Sequence, residues 1–347
     1  MSDRVPELGW HRIAGTPREI GLALGRAGRA AVHRHLPSSD YFRAMTGPAH
    51  AGAVARMAGA TRARFPDIWA EIEGLAEGLD MPVETVFAWN CRGDLLARVP
   101  DGCTTVMVPG PEPLLAHNED GLPFFRGACF VAEVAAPDAP AFRAFCYPGS
   151  IPGHTFGFNE AGLAQTVNNI RLTGVAPEIP RMVLGRAVIA SRTLDGALAV
   201  LKTGAGSGGF HFALSSTADR RILSVEFGRG EVSVVEIERP SAHANHALHH
   251  GAGLAGQIVT DSSRDRQVRA DVLLAEGRDP LSILRDDGGA GLPIRRDAAD
   301  DPDDENTLGT AILRLASDGI RWSIHDRRSG PAAYSGSGFR ARGAGEA

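Results

Sequence analysis

The sequence predicts a layered α+β domain, sheet packed on sheet with helices outside. Three observations carry this. The first hundred of the 347 residues read as mostly helical. After Gly102 the texture changes to short β-type runs separated by turns. Helical stretches then interrupt those runs at two places. Forty-two glycines and 22 prolines fit many short strands, with loops carrying function.

In order, residues 16–36 predict a helix. Thr16 is its cap and Glu19 the capping-box partner three residues on. Ile20, Leu22, Leu24, Ala27 and Ala31 form its apolar face, and Gly21 and Gly25 weaken it. Residues 51–64 are Ala/Arg-rich and helical, and Phe65-Pro66 breaks them. Residues 67–79 are amphipathic, with Ile68, Trp69, Ile72, Leu75 and Leu79 on one side. Residues 82–96 predict a further helix. Strand-like runs follow at 103–108, 113–117, 128–136, 141–146, 154–158 and 162–170. A helix over 180–202 precedes strands at 210–215, 221–227 and 231–237. Helices over 262–276 and near 280–286 precede strands at 307–315 and 319–325. The glycine-rich run 204–209 lacks the Gly-Lys-Ser/Thr of a phosphate loop and reads as a turn. The acidic stretch 295–306 reads as a solvated loop without calcium-loop spacing.

Composition narrows the function classes. Hydrophobic content of 43% and charged content of 22% are those of a globular protein. A formal net charge of −5 argues against a nucleic-acid or anionic-membrane surface. No window reaches the roughly 18 apolar residues of a membrane helix. The start, MSDRVPELGWHRIAG, lacks the basic and apolar regions of a signal peptide, so the expected location is the cytoplasm. Cys91, Cys103, Cys129 and Cys146 show no CxxC spacing, which argues against a zinc knuckle or a disulfide framework.

The chemistry is expected around Asp101-Gly102-Cys103-Thr104-Thr105. Asp101-Gly102 is a turn pair and Thr104–Val108 a buried strand, so Cys103 sits where chain leaves turn for core. A cysteine there is ordinarily a small buried residue. The alternative is that Gly102-Cys103 is a self-cleaving bond and Cys103 its nucleophile. A thiol with pKa near 8.5 needs a base, and a freed α-amine, with pKa of about 7.7–8, supplies one on the same residue. Asp120 could orient that amine from the neighbouring strand, although its spacing alone reads as a turn residue in Glu-Asp-Gly. Residues 148–164 read as two strands, or as a hairpin lining a pocket, with Asn168 and Asn169 as amide donors on the next strand. His243, His246, His249 and His250 invite a metal reading, but HExxH is absent, and Asn245 can instead donate to an oxyanion. Arg266 and Arg269 share a helix face, either as a solvated basic face or with one arginine buried near the nucleophile.

Taken together, Asp-Gly-Cys-Thr-Thr (101–105), Asn-Glu-Asp (118–120), Pro-Gly-x-x-Pro-Gly (148–153), Gly-Phe-Asn-Glu-Ala-Gly-Leu-Ala (157–164), Asn-His (245–246) and Ser-x-x-Arg-x-x-Arg (263–269) form an ordered set. It resembles the isopenicillin N acyltransferase-like autoproteolytic cysteine hydrolases, an N-terminal-nucleophile (Ntn) family related to choloylglycine hydrolases and penicillin V acylases. Residues 15–21 and 87–92 resemble that family's propeptide part. The resemblance implies a four-layer αββα sandwich. It implies a helical segment 1–102 and a core 103–347, folding together as one domain and staying associated as an αβ pair after cleavage at Gly102-Cys103. Further homo-oligomerisation is left open. Cys103 would be the nucleophile, Asp120 the contact of the freed amine, and Asn245 the oxyanion donor, helped by the Asn168 region. Arg266, or else Arg269, would be the arginine near the nucleophile. Asn118, Glu119, His246 and Phe156 would line the pocket, Glu119 standing where many relatives carry an aromatic. The implied activity is hydrolysis of a small-molecule amide, or acyl transfer from it to an amine, through a Cys103 thioester, without cofactor or metal. The rival readings are an unprocessed binding or scaffold domain, and a metal-dependent hydrolase using His243–His250.

Overall fold

The computed structural model describes residues 7–96, 100–204 and 206–343. Residues 1–6 of the start and Ala205 in the glycine-rich turn lie outside them. Thr16 caps the first helix, α1 (Pro17–His35): its hydroxyl accepts the Glu19 N–H, and the Glu19 carboxylate accepts the Thr16 N–H at 2.8 Å. Then come α2 (Asp40–Thr46), α3 (Ala51–Arg64), α4 (Pro66–Leu79), α5 (Val83–Asn90) and α6 (Arg92–Leu95). The glycines that weaken α1 as an isolated helix have a packing role. A Cβ on Gly21 or Gly25 would collide with the α4 backbone at Glu71 or Leu75, and one on Gly74 or Gly78 would collide with α1. The propensity cost of about 1 kcal/mol per glycine is offset by this close helix contact.

Fifteen strands are described. They are β1 (Gly9–Ala14), β2 (Cys103–Val108), β3 (Leu114–Gly121), β4 (Phe130–Ala135), β5 (Phe142–Cys146), β6 (Phe156–Asn159), β7 (Leu163–Ile170), β8 (Gly209–Ser216), β9 (Ile222–Gly228), β10 (Glu231–Glu236), β11 (Ser241–His243), β12 (Asn306–Ala316), β13 (Gly319–His325), β14 (Tyr334–Ser337) and β15 (Arg340–Gly343). One sheet has eight strands in the order β1-β4-β5-β6-β7-β8-β9-β10. The other has seven, in the order β11-β2-β3-β12-β13-β14-β15. On the outer side of the first lie α7 (Arg181–Ile189), against β6 and β7, and α8 (Leu194–Thr203), against β8 and β10. A short α9 (Gly251–Ala255) precedes α10 (Asp261–Ala275), which covers β11, and α11 (Pro280–Leu284), which covers β3 and β12. The layers are therefore helix, sheet, sheet, helix, the αββα sandwich of the Ntn type.

Four features differ from the sequence reading. The predicted helix 180–202 is two helices, because Thr193 caps a second start by accepting the Gly196 N–H at 3.1 Å. The N-terminal segment is not purely helical: β1 pairs in parallel with β4, so it supplies the edge of the eight-stranded sheet. Leading into the histidine-rich block 243–250, residues 241–243 form an edge strand on β2. The acidic loop 295–306 is solvated only in its middle: 297–300, Pro302 and Asp304 are exposed, whereas Arg295, Arg296, Glu305 and Asn306 are buried and Arg296 Nε donates to Asp301 at 2.7 Å.

One apolar cluster runs from Ile20, Leu75 and Phe87 in the helices to Val131, Phe156 and Leu313 in the two sheets. Across it, the Glu71 carboxylate of α4 accepts from Nε and Nη2 of Arg186 on α7, at 3.0 and 2.9 Å. No described helix is long and apolar enough to cross a membrane.

Candidate active site

The geometry of the site follows from strand alternation. β2 pairs antiparallel with β3, placing Cys103 opposite Glu119, Thr104 opposite Asn118 and Thr105 opposite His117. Successive side chains of a strand point to opposite faces. Cys103, Thr105, His117 and Glu119 therefore face the other sheet, where Thr105 donates to Asn168 Oδ1 of β7 at 2.7 Å. Thr104, Asn118 and Asp120 face the helices, where Asn118 donates to Leu284 O of α11 at 2.7 Å.

Cys103 is held at each of its polar atoms. Its N–H donates to Asn245 Oδ1 at 2.8 Å. Its carbonyl accepts from Arg266 Nη1, which also donates to Thr104 Oγ1 at 2.9 Å, while Nη2 donates to Asn245 Oδ1 at 2.7 Å. Its thiol donates to Glu119 Oε2 at 3.5 Å. The same oxygen lies 3.0 Å from His117 Nε2, and Tyr147 donates its hydroxyl to the other carboxyl oxygen at 2.8 Å. The carbonyl of Gly102, ahead of Cys103, accepts the Asp120 N–H at 2.8 Å.

Burial sets the charge states. It pushes the Cys103 thiol well above its ordinary range, and the Glu119, Asp101 and Asp120 carboxylates add to this. Burial likewise raises Glu119, with Asp101 adding, and lowers His117 to about 3. Asp120 is also raised by burial, against the pull of Arg266. In the uncut chain the nucleophile candidate is thus a neutral thiol beside a neutral imidazole.

The folded acidic loop reaches this point. Glu305 Oε1 accepts the Asp101 N–H at 3.2 Å, and Arg296 lies 3.4 Å from Oε2. Burial pushes Glu305 up to about 7, against the pull of Arg266, Arg171 and Arg296. A Cβ on Gly102 would come within 2.5 Å of the Glu305 carboxylate, so a larger residue there would displace that carboxylate from the Asp101 N–H and Arg296. Pro100 and Glu305 form part of the wall of a cavity of about 970 Å³, which Tyr41, Arg171, Thr260 and Asp265 also line. Cys103 itself is 2% exposed and does not line that cavity.

The expected residues separate into groups. Cys103, Asn245 and Arg266 are in mutual hydrogen-bond contact. Asn245 turns its oxygen to the Cys103 N–H and its Nδ2 to Asn169 O, at 3.2 Å. The Asp120 side chain accepts from Thr307 Oγ1 at 2.6 Å, so the contact of residue 120 with the Gly102-Cys103 linkage is made by its backbone N–H. Asn168 lies further along the strands, bonded to Thr105, His211 and the His243 carbonyl. Asn118 is on the helix face. His246 bonds Ser263 Oγ at 2.7 Å. The Phe156 ring packs 5.8 Å from that of His117. Arg269 pairs with Asp286 at 2.7 Å, away from Cys103. Glu119 is not a peripheral wall residue but the carboxyl in contact with the thiol. The register Cys103-to-Glu119 follows from two adjoining strands, but no local pattern singles it out. Glu305 was legible only as part of an acidic loop, because its role depends on Arg296 being drawn into the core.

The 243–250 block gathers on Glu226, which lies 2.8 Å from His243 and 3.7 Å from His249 and accepts the backbone N–H groups of His249 and His250. His249 also contacts Ser224 and Ser233, and the His250 ring accepts the Gly253 N–H at the start of α9. Among the described residues, the group close enough to hold an ion is Cys103, His117 and Glu119, their ligand atoms within 4.8 Å of one another. Hydrogen bonds already join these three, and they are treated below as a proton-sharing set.

The family model for acyl-coenzyme A:6-aminopenicillanic acid acyl-transferase matches residues 108–329. That span includes Glu119, Asp120, Asn245 and Arg266, and begins just after Cys103. A Drosophila melanogaster protein named beta-alanyl-dopamine/carcinine hydrolase is 27% identical over 214 residues, 54% of this chain and 55% of that protein. An Emericella nidulans protein named acyl-coenzyme A:6-aminopenicillanic-acid-acyltransferase 40 kDa form is 24% identical over 273 residues, 75% of this chain and 76% of that protein. The chain thus spans about half the length of the first relative and about three quarters of the second. With the match covering well over half of its residues, the chain belongs to the acyl-coenzyme A:6-aminopenicillanic acid acyl-transferase family.

Proposed function

We propose that the protein is a self-processing amidohydrolase or acyltransferase that works on small-molecule amides through a Cys103 thioester. The observation that carries the reading is the fixing of residue 103 at N–H, carbonyl and thiol, with the preceding Gly102 carbonyl already on an N–H donor. The small Gly102 on the scissile side and its hydrogen-bonded carbonyl favour attack by the thiol on its own preceding peptide. As the Gly102 oxygen gains charge, the Asp120 N–H stabilises it in a dry site, where such a donor is worth several kcal/mol.

Cleavage turns the Cys103 amide into an α-amine beside Asn245. With a pKa of about 7.7–8 in its ordinary range, this amine accepts the thiol proton during turnover. On this reading, withdrawal of the chain before Cys103 gives substrate access to the sulfur, which is buried while the chain is uncut. Thiolate then attacks the substrate carbonyl and the amine nitrogen leaves with a proton. Water, or an acceptor amine, takes the acyl group from the thioester. The relatives' names, one a hydrolase of beta-alanyl-dopamine and carcinine and one an acyltransferase, support amide and acyl chemistry without choosing between the two outcomes. The protein interior joining the two parts, with β1 in the main sheet and Glu71 on Arg186, keeps them together as an αβ pair.

The test is mass spectrometry of the purified protein after brief incubation with a panel of amides and acyl donors. An acyl adduct on the 103–347 part, absent from Cys103→Ala, is expected for at least one donor. Turnover that continues in Cys103→Ala would refute the thioester.

A further inference from the structure

Self-cleavage and turnover pose different acid–base problems at the same sulfur. During turnover the α-amine of Cys103 can take the thiol proton. During self-cleavage that nitrogen is still a peptide N–H, donating to Asn245 Oδ1, and has no basic lone pair. We propose that Glu119, coupled to His117, is the base for the self-cleavage step. This rests on the self-processing reading above and assigns a residue that the α-amine mechanism does not need.

The geometry supports the assignment by contact and by exclusion. Glu119 Oε2 is the carboxyl oxygen in hydrogen-bond reach of Sγ, at 3.5 Å. The Asp120 carboxylate points to the helix face and is bonded to Thr307. Asn245 and Arg266, the other side chains at residue 103, carry no basic site that can take a proton. His117 Nε2 lies 3.0 Å from the same Glu119 oxygen, and Tyr147 fixes the second oxygen at 2.8 Å. The carboxyl is thus held in one orientation, and it shares a proton with a second basic atom. Glu119 touches the reacting sulfur and is catalytic in this step, while His117 acts through it and is a positioning residue.

The step balances. The Cys103 S–H proton passes to Glu119 Oε2, and the proton shared with His117 shifts toward Nε2. A bond forms between Sγ and the Gly102 carbonyl carbon, whose oxygen is held by the Asp120 N–H. The C–N bond to Cys103 breaks, and the pair returns one proton to the leaving nitrogen. The products are a Gly102 thioester on Sγ and a free α-amine. Water then hydrolyses the thioester to the Gly102 carboxylate and the Cys103 thiol.

The experiment follows self-cleavage of the full chain by intact mass, for wild type, Glu119→Gln and His117→Gln. Amide turnover is measured on the same samples and divided by the number of cleaved, titratable Cys103 thiols. General-base contributions are typically 10²–10⁴-fold. Glu119→Gln should slow cleavage by at least about 100-fold, while turnover per cleaved chain falls less than about tenfold. His117→Gln should show the same split with a smaller loss, which a merely structural role would not produce. Melting curves confirm that each variant is folded, and Glu119→Asp serves as the conservative rescue should Glu119→Gln not fold. Cleavage of Glu119→Gln at the wild-type rate, or equal losses in both reactions, overturns the assignment. Wild type that never cleaves overturns the self-processing reading itself.

Discussion

Arg266 is the donor that ties α10 to the start of β2, and its removal has a calculable cost. Arg266→Ala is best made in the Cys103→Ala background, so that only uncut chains are compared. The guanidinium is buried and donates to Cys103 O, Thr104 Oγ1, Asn245 Oδ1 and Ser262 Oγ. Asn245 Oδ1 keeps the residue 103 N–H after the substitution, whereas the residue 103 carbonyl and Thr104 Oγ1 lose a charged donor. A bond to a charged group contributes about 1.5–3 kcal/mol, so two lost bonds correspond to roughly 3–6 kcal/mol. Equilibrium urea denaturation should therefore show a loss of about 4 kcal/mol. Arg266→Lys, with one nitrogen for several acceptors, should recover no more than about half of it. A loss under about 1 kcal/mol, typical of a solvated surface arginine, would refute the reasoning.

Three further outcomes are expected. Asp120→Asn keeps the backbone N–H that meets the Gly102 carbonyl, so it should slow self-cleavage far less than Glu119→Gln; the reverse order would mean that the residue 120 carboxylate, not its N–H, serves the step. Burial would raise Glu226, but the His243 bond and the N–H groups of Leu248, His249 and His250 overcome it and hold the carboxyl at about 2. A depressed folded pKa means that its stabilisation is complete above about pH 4.5 and drains as pH falls toward 2, on the order of 3 kcal/mol in all. Glu226→Gln should flatten the acid limb of a stability–pH profile, and an unchanged limb would show that the carboxyl is not held this way. Because the histidines of residues 243–250 are taken up by hydrogen bonds to Glu226, Ser224, Ser233, Ser263 and Gly253, a chelator should leave turnover intact; loss to chelator with retention in Cys103→Ala would transfer the chemistry to a metal.

What the sequence made legible was local. The Thr16–Glu19 box, the period-2 runs and the buried strand after Asp101-Gly102 are written in adjacent residues, and they appear in the structure close to where they were expected. The choice between Arg266 and Arg269, three apart on one helix, depends on which one meets β2, and the buried one is Arg266. Long-range pairing explains the rest. β1 looks unremarkable until it is seen alongside β4, and Gly21 and Gly74 look like helix defects until the helices cross. The 295–306 loop is solvent-facing in its middle as its composition suggests, but its ends are buried because Arg296 meets Asp301 and Glu305, a pairing that no local pattern shows. Glu119 gains its position from a register between two strands, and the Asn168 amide loses its expected place because β7 meets β2 at Thr105 rather than at Cys103.

The central claim is that the chain cuts itself before residue 103. Intact mass of freshly purified wild type and Cys103→Ala measures this directly. The account predicts two masses for wild type, matching residues 1–102 and 103–347, and one full-length mass for Cys103→Ala. A single full-length mass from both, persisting through prolonged incubation, would contradict it.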